Sequence, residues 1–159
     1  PDQGAVKRAT DFCKAFPEAT FAMINKKRIK PNEIHSMELV GDVEGRNVVI
    51  VDDMADTLGT LKKASELVMN MGAKSVRAIA THGVLSGKAL ENLETSMLTE
   101  LMVSDSISTV VEKKFMESLK GRDGVMGGQK LNIISCDRIL AKSINFISKK
   151  KSIHELNIV

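Results

Sequence analysis

The sequence predicts an α/β fold, a mainly parallel sheet flanked by helices, and two patterns in its 159 residues carry that prediction. Strand-like apolar runs alternate with runs whose apolar residues recur every three or four positions, the rhythm of right-handed β-α-β crossovers. The second pattern is the run Val48, Val49, Ile50, Val51, which has no polar/apolar alternation and leads directly into Asp52, Asp53 and the string M-A-D-T-L-G-T. Such a run reads as a strand covered on both faces, and the segment after it as a loop at a strand's carboxyl end, where open α/β sheets hold ligands.

From Gly4 to Phe16, Val6, Ala9, Phe12, Cys13 and Phe16 fall on one helix face, and Pro17 ends the helix. Thr20 to Asn25 is strand-like and runs into KKRIKPNEIH, where four basic residues precede Pro31, a stretch expected to be a loop. SMELVG is a strand, DVEGR a turn around Gly45, and NVVIVDD the apolar strand that leads into the acidic string. Leu61, Ala64, Leu67, Val68 and Met71 mark a helix stopped by Gly72. SVRAIATHG is a strand, SGKALENLETS a helix capped by Ser86, and LTELMVSDS another strand. Thr109 to Lys130 breaks the rhythm; GRDGVMGGQK carries four glycines and no apolar period, so a mobile surface insertion is expected there. LNIIS and CDRILAKSINFI supply a last strand and helix. With no internal repeat and no linker, the chain reads as a single domain.

Composition narrows the function classes. Hydrophobic residues make up 43% of the chain, enough for a core, yet there are five Phe, no Trp and no Tyr. That leaves few platforms for stacking bases, and a net charge of +3 is not a nucleic-acid-binding surface. No apolar run approaches the roughly 18 residues that span a bilayer, and no charged-then-apolar leader precedes the first helix pattern, so a cytoplasmic protein without a membrane partner is expected. Cys13 and Cys136 lack metal-ligand spacing and are expected to be buried free thiols.

The chemistry is concentrated after Asp53. A helix starting near Leu61 offers unpaired amide groups and the positive end of a dipole, so Asp56 to Thr60 suit a phosphate wrapped by amides and two hydroxyls, with Gly59 allowing close approach. Acidic residues would repel that anion unless they face sugar hydroxyls or a divalent cation. Phosphate, diol and Mg²⁺ together describe a phosphorylated pentose. The string is not a P-loop, since G-x-x-x-x-G-K-[ST] is absent.

VDDMADTLGT resembles the phosphoribosyl-pyrophosphate (PRPP) binding motif of type I phosphoribosyltransferases, and in this form that of the ribose-phosphate diphosphokinase (PRPP synthetase) family. PDQGAVKRA, INKKRIKPNEI, LVGDVEGR, GAKSVRAIATHGVLSGKALENL and SIHEL agree with that family in order, so the resemblance covers nearly the whole chain. It implies a type I phosphoribosyltransferase-like domain over residues 1–159 that is the carboxyl-terminal half of a longer enzyme. The amino-terminal half would supply most of the ATP site.

By the same resemblance, Asp52 and Asp53 hold the ribose hydroxyls and help orient Mg²⁺, and Asp56, Thr57, Leu58, Gly59 and Thr60 hold the 5′-phosphate. Asp2 is a magnesium ligand. Lys26, or Lys27 one position on, and Arg28 are the catalytic cations of a flexible loop, with Asn32 beside them. Ser152 and His154 lie near a regulatory phosphate or nucleotide site. The implied reaction is diphosphate transfer from MgATP to the 1-hydroxyl of ribose 5-phosphate, giving PRPP and AMP, by homo-oligomers in which dimers build to hexamers. A non-catalytic PRPP-synthetase-associated regulatory subunit is the alternative. A free-standing phosphoribosyltransferase lacks support, because no base-binding hood is evident. His82, at the edge of its strand, is expected to serve as a structural hydrogen-bonding group.

Overall fold

The computed structural model describes residues 10, 13–14, 16–30, 33–107, 130–153 and 156, with the side chains of 26–30 and 33–36 outside the description. Most of the expected amino-terminal helix and of the expected insertion therefore lie outside the described residues.

Two sheets form. The strands β1 (Met23–Lys30) and β2 (Glu33–Val40) make an antiparallel pair, and β3 (Asn47–Ala55), β4 (Ser75–Gly83), β5 (Glu100–Ser104) and β6 (Leu131–Ile134) make a parallel sheet in that order. Three helices are described: α1 (Gly59–Asn70), α2 (Ala89–Glu94) and α3 (Asp137–Ser148). Every neighbouring pair in the four-stranded sheet is parallel, as the strand-helix alternation predicts.

Two expectations are corrected. The basic stretch after Asn25 is not a loop but one arm of the β1/β2 ribbon, paired Lys26 to Met37, Lys27 to Ser36 and Arg28 to Ile34. Charged residues are weak strand formers, but a partner strand that satisfies the backbone overrides propensity. Nor is β3 covered on both faces among the described residues: there it is a terminal strand of its sheet, and Val49 is 42% exposed. An apolar run of four residues reads alike in a central and an edge position.

The core is built from Leu61, Ala64 and Val68 of α1, set against Val76, Ala78 and Ala80 of β4 and Leu101 and Val103 of β5, all buried. Ala22, Ile24 and Leu39 pack the ribbon onto this cluster. Small side chains on β4 let α1 sit close to the sheet. The helix ends as its sequence requires: Gly72 takes φ +87°, its N–H reaches the Met69 carbonyl at 3.0 Å, and the Ala73 N–H reaches that of Val68 at 3.3 Å. This is a Schellman motif with glycine in the left-handed position.

Buried polar groups are matched. The Ser65 hydroxyl, fully buried, donates to the Lys62 carbonyl at 2.7 Å and accepts the Met97 N–H at 3.2 Å. Lys130 Nζ donates to the carbonyls of Leu93, Glu94 and Ser96 at 3.3, 3.1 and 2.8 Å, placing a cation at the negative end of α2. No residue of α3 is buried. Cys13 and Cys136 are free but half-buried rather than buried. Among the described residues, no helix is long and apolar enough to cross a membrane.

Candidate functional site

Asp52 and Asp53 lie within β3, opposite the end of β4, with Asp52 paired to Ala80 and Ala55 to Gly83. The strand thus runs further than its apolar residues, and the loop proper is Asp56 to Leu58. Leu58 occupies the N-cap position of α1 in the left-handed region, φ 62°. Its carbonyl accepts the Lys62 N–H at 2.9 Å, the first bond of the helix. By helix geometry the amides of Gly59, Thr60 and Leu61 therefore have no carbonyl within the helix to bond.

A leucine in the left-handed region costs about 1–2 kcal/mol. Here the cost is offset, because Leu58 is only 4% exposed and burying a leucine contributes about 1.5–3 kcal/mol. The same trade recurs 27 residues on at Leu85, with φ 50° and 1% exposure. Both strained leucines flank the loop, and their side chains belong to one core cluster.

The segment between β4 and α2, together with α2 itself, is fastened to this loop at three successive residues. Leu85 N–H donates to the Ala55 carbonyl at 3.0 Å. The Ser86 hydroxyl donates to Asp56 Oδ1. Asn92 Nδ2 donates to the Thr57 carbonyl at 2.8 Å. Ser86 is accordingly not the cap of α2, as its sequence position suggests. Lys88 takes the N-cap place without a side-chain cap bond, and the Ser86 hydroxyl is turned to Asp56 instead. The Asp56 carboxylate thus has a donor within the protein. Ser86 and Asn92 have no signal in the local pattern, because each meets its partner 30 or 35 residues away.

Further along the carboxyl edge, His82 Nδ1 is 2.8 Å from the Ser106 hydroxyl. The Ser104 and Ser106 hydroxyls converge on the Thr81 carbonyl at 2.5 and 3.3 Å. Asp105 closes the edge by accepting the Cys136 N–H at 2.8 Å and the Ser135 hydroxyl at 2.7 Å, which fixes the start of α3. The Cys136 amide first, and the Ser135 hydroxyl next, hold the Asp105 carboxyl below its ordinary range.

Lys26 and Arg28 lie on β1, and the ribbon meets β3 across an apolar cavity of about 770 Å³ that Ile24, Leu39, Val48 and Ile50 line together with Asp52. Its lining is mainly apolar, with Asp42, Arg46 and Asp52 among the charged residues at it. Ser152 is exposed beyond α3, while Asp2, Asn32 and His154 lie outside the described residues. Asp52 Oδ1 accepts the Asp53 N–H at 2.9 Å. A carboxylate at this strand end suits Mg²⁺, which commonly takes one or two protein carboxylates and completes its shell with substrate oxygens and water. No group of three or more His, Cys, Asp or Glu side chains among the described residues forms an all-protein metal cage.

In comparison with known proteins, residues 5–157 match the family described as "Phosphoribosyl synthetase-associated domain". A ribose-phosphate pyrophosphokinase of Vibrio parahaemolyticus is 42% identical over 153 residues, covering 96% of this chain and 45% of the relative. Ribose-phosphate pyrophosphokinase 3 of Saccharomyces cerevisiae is 41% identical over 156 residues, covering 98% and 45%. The crystal structure of phosphoribosylpyrophosphate synthetase from Mycobacterium smegmatis superposes with a TM-score of 0.74 at 30% identity, covering 93% of this chain and 43% of that one. The chain thus spans less than half the length of these relatives.

Proposed function

Since the chain belongs to the phosphoribosyl synthetase-associated domain family, we propose that it is the pentose-phosphate-binding, carboxyl-terminal part of a ribose-phosphate diphosphokinase. The observation that carries this reading is the fastened loop Asp56–Leu58, set between two carboxylates at the end of β3 and the first amides of α1. In it, Gly59, Thr60 and neighbouring loop groups hold the 5′-phosphate of ribose 5-phosphate through amides and hydroxyls, while Asp52 and Asp53 accept from the ribose hydroxyls.

The reaction is attack of the ribose 1-oxygen on the β-phosphorus of MgATP. A bond forms between that oxygen and the β-phosphorus, the proton of the 1-hydroxyl is released to solvent, the bond from the β-phosphorus to the oxygen bridging it to the α-phosphorus breaks, and AMP leaves carrying that bridging oxygen. Displacement at phosphorus needs alignment and charge stabilisation rather than a covalent intermediate. Lys26 and Arg28 supply cations to the transferring group. Asp2 would hold Mg²⁺, with Asp52 and Asp53 helping to orient it, and the ion would neutralise phosphate charge when bound. A cytoplasmic homo-oligomer, with dimers building to hexamers, completes the proposal.

A second reading, a non-catalytic regulatory subunit, draws its support from the description of the family as synthetase-associated. Turnover separates the two. The intact protein is expected to release one AMP for each PRPP formed from MgATP, and only when ribose 5-phosphate is present. Binding of ribose 5-phosphate with no AMP release would favour the regulatory subunit.

A further inference from the structure

The three fastenings of residues 55–57 are not equivalent. Two of them, Leu85 N–H to Ala55 and Ser86 to Asp56, hold a strand end and a side chain. The third holds a peptide plane. Asn92 Nδ2 lies 2.8 Å from the Thr57 carbonyl oxygen, and because a carbonyl only accepts, the amide nitrogen of Asn92 faces it. No cis peptide bond is present among the described residues, so the Thr57–Leu58 peptide is trans and the Leu58 N–H points opposite to the Thr57 carbonyl. With that carbonyl drawn toward α2, the Leu58 N–H is aimed away from α2.

Leucine favours a negative φ, and rotating the Thr57–Leu58 peptide would carry Leu58 out of its φ of 62° into that favoured region. The rotation would also swing the Leu58 N–H toward α2 and break the Asn92 bond. The bond therefore opposes the relaxation that the backbone itself prefers. Strained backbone persists where surrounding structure over-determines it, and such places cluster at ligand clamps. Asn92 sits on the first turns of α2, half-buried, with its side chain beside Gly59: a Cβ placed on Gly59 would lie 4.0 Å from Asn92 Nδ2.

From this we infer that Asn92 is a positioning residue: by holding the Thr57 carbonyl, it keeps the Leu58 amide in the orientation that receives the 5′-phosphate. The inference rests on the phosphate-loop reading of Asp56 to Thr60. Asn92 does not touch the substrate. It acts through a peptide plane, and its loss is felt as a misdirected donor rather than as a missing one.

The test uses the intact protein with Asn92→Asp, which keeps the shape but has no donor for the carbonyl, and Asn92→Gln, which keeps a donor on a longer arm. Three quantities are measured: the affinity for ribose 5-phosphate, the affinity for MgATP, and the melting temperature. A crystal structure of the free Asn92→Asp variant gives φ of Leu58. Asn92→Asp is expected to weaken ribose 5-phosphate binding about tenfold, equivalent to about 1.4 kcal/mol. MgATP affinity and melting temperature stay near wild type, Leu58 moves to negative φ, and Asn92→Gln recovers part of the loss. Unchanged ribose 5-phosphate affinity in Asn92→Asp overturns the inference, and so does a lowered melting temperature with both affinities unchanged, which would mark a purely structural tie. Should the wild-type protein itself fail to bind ribose 5-phosphate, the phosphate-loop reading falls. The brace is still decided in that case by the variant's structure, where a positive φ at Leu58 overturns it and a negative φ upholds it.

Discussion

Replacing Arg28 with alanine in the intact protein is expected to lower kcat by roughly three orders of magnitude, the scale on which loss of a transition-state cation is felt in phosphoryl transfer, with little loss of ribose 5-phosphate affinity. The reason lies in where the residue sits. Arg28 is carried by β1 of the antiparallel ribbon, and its pairing with Ile34 is bracketed by register shifts on both sides, between Lys27 and Arg28 and between Arg28 and Lys30. Irregularities of this kind are over-represented at sheet edges and next to active sites. On the proposed reading the phosphate is held by a different element, so its binding should scarcely change. Steady-state turnover with saturating MgATP and ribose 5-phosphate measures the effect, and near-normal kcat would remove Arg28 from the mechanism.

The second large effect is expected at Gly59, and a comparison with Gly83 isolates it. Gly59, the first residue of α1, is not among the positive-φ glycines, and an added Cβ would meet only Thr57 Oγ1 at 3.9 Å and Asn92 Nδ2 at 4.0 Å. Nothing in the free protein therefore demands glycine there. If the absence of a side chain serves a phosphate that approaches the backbone, Gly59→Ala should leave stability within about 0.5 kcal/mol of wild type. It should also remove one or two hydrogen bonds to a charged ligand, each about 1.5–3 kcal/mol, and so weaken ribose 5-phosphate binding roughly a hundredfold. Gly83 is the opposite case. A Cβ there would lie 2.8 Å from Val103 Cγ2 and 3.0 Å from its Cβ, against a buried side chain. Gly83→Ala should cost about 1–3 kcal/mol by overpacking, with binding retained in the folded fraction. Urea denaturation and a binding titration on both variants give the comparison; a Gly59 variant that binds normally would show that the phosphate does not approach this turn.

Much of the fold is legible in the residues because it is local. Periodicity places α1, β4 and β6, and Gly72 marks the end of α1 through a conformation that glycine adopts without strain. The string from Asp52 to Thr60 stands out because carboxylates and hydroxyls beyond an apolar strand have few uses other than a ligand. The features that escape a sequence reading depend on distant partners. Lys26 to Lys30 reads as a charged loop until β2 is seen to satisfy its backbone. Val49 reads as interior until β3 proves to be a terminal strand among the described residues. The left-handed Leu58 runs against leucine's own preference and is held by core packing and by Asn92, and neither leaves a mark in the neighbouring sequence. Ser86 reads as the cap of the nearest helix, the sensible local choice, whereas the fold brings Asp56 to it from the other loop.

Whether the loop after β3 holds the 5′-phosphate of a pentose is decided by calorimetric titration of the intact protein with ribose 5-phosphate, set beside titrations of the Thr60→Val variant and the Thr57→Val/Thr60→Val double variant. Valine keeps the shape of threonine and removes only the hydroxyl. Saturable binding by the wild type is expected, roughly tenfold weaker in Thr60→Val and weaker again in the double variant, as for hydrogen bonds to a charged group. Equal affinity in all three proteins, or no binding by a folded wild type, would contradict a phosphate held at this loop.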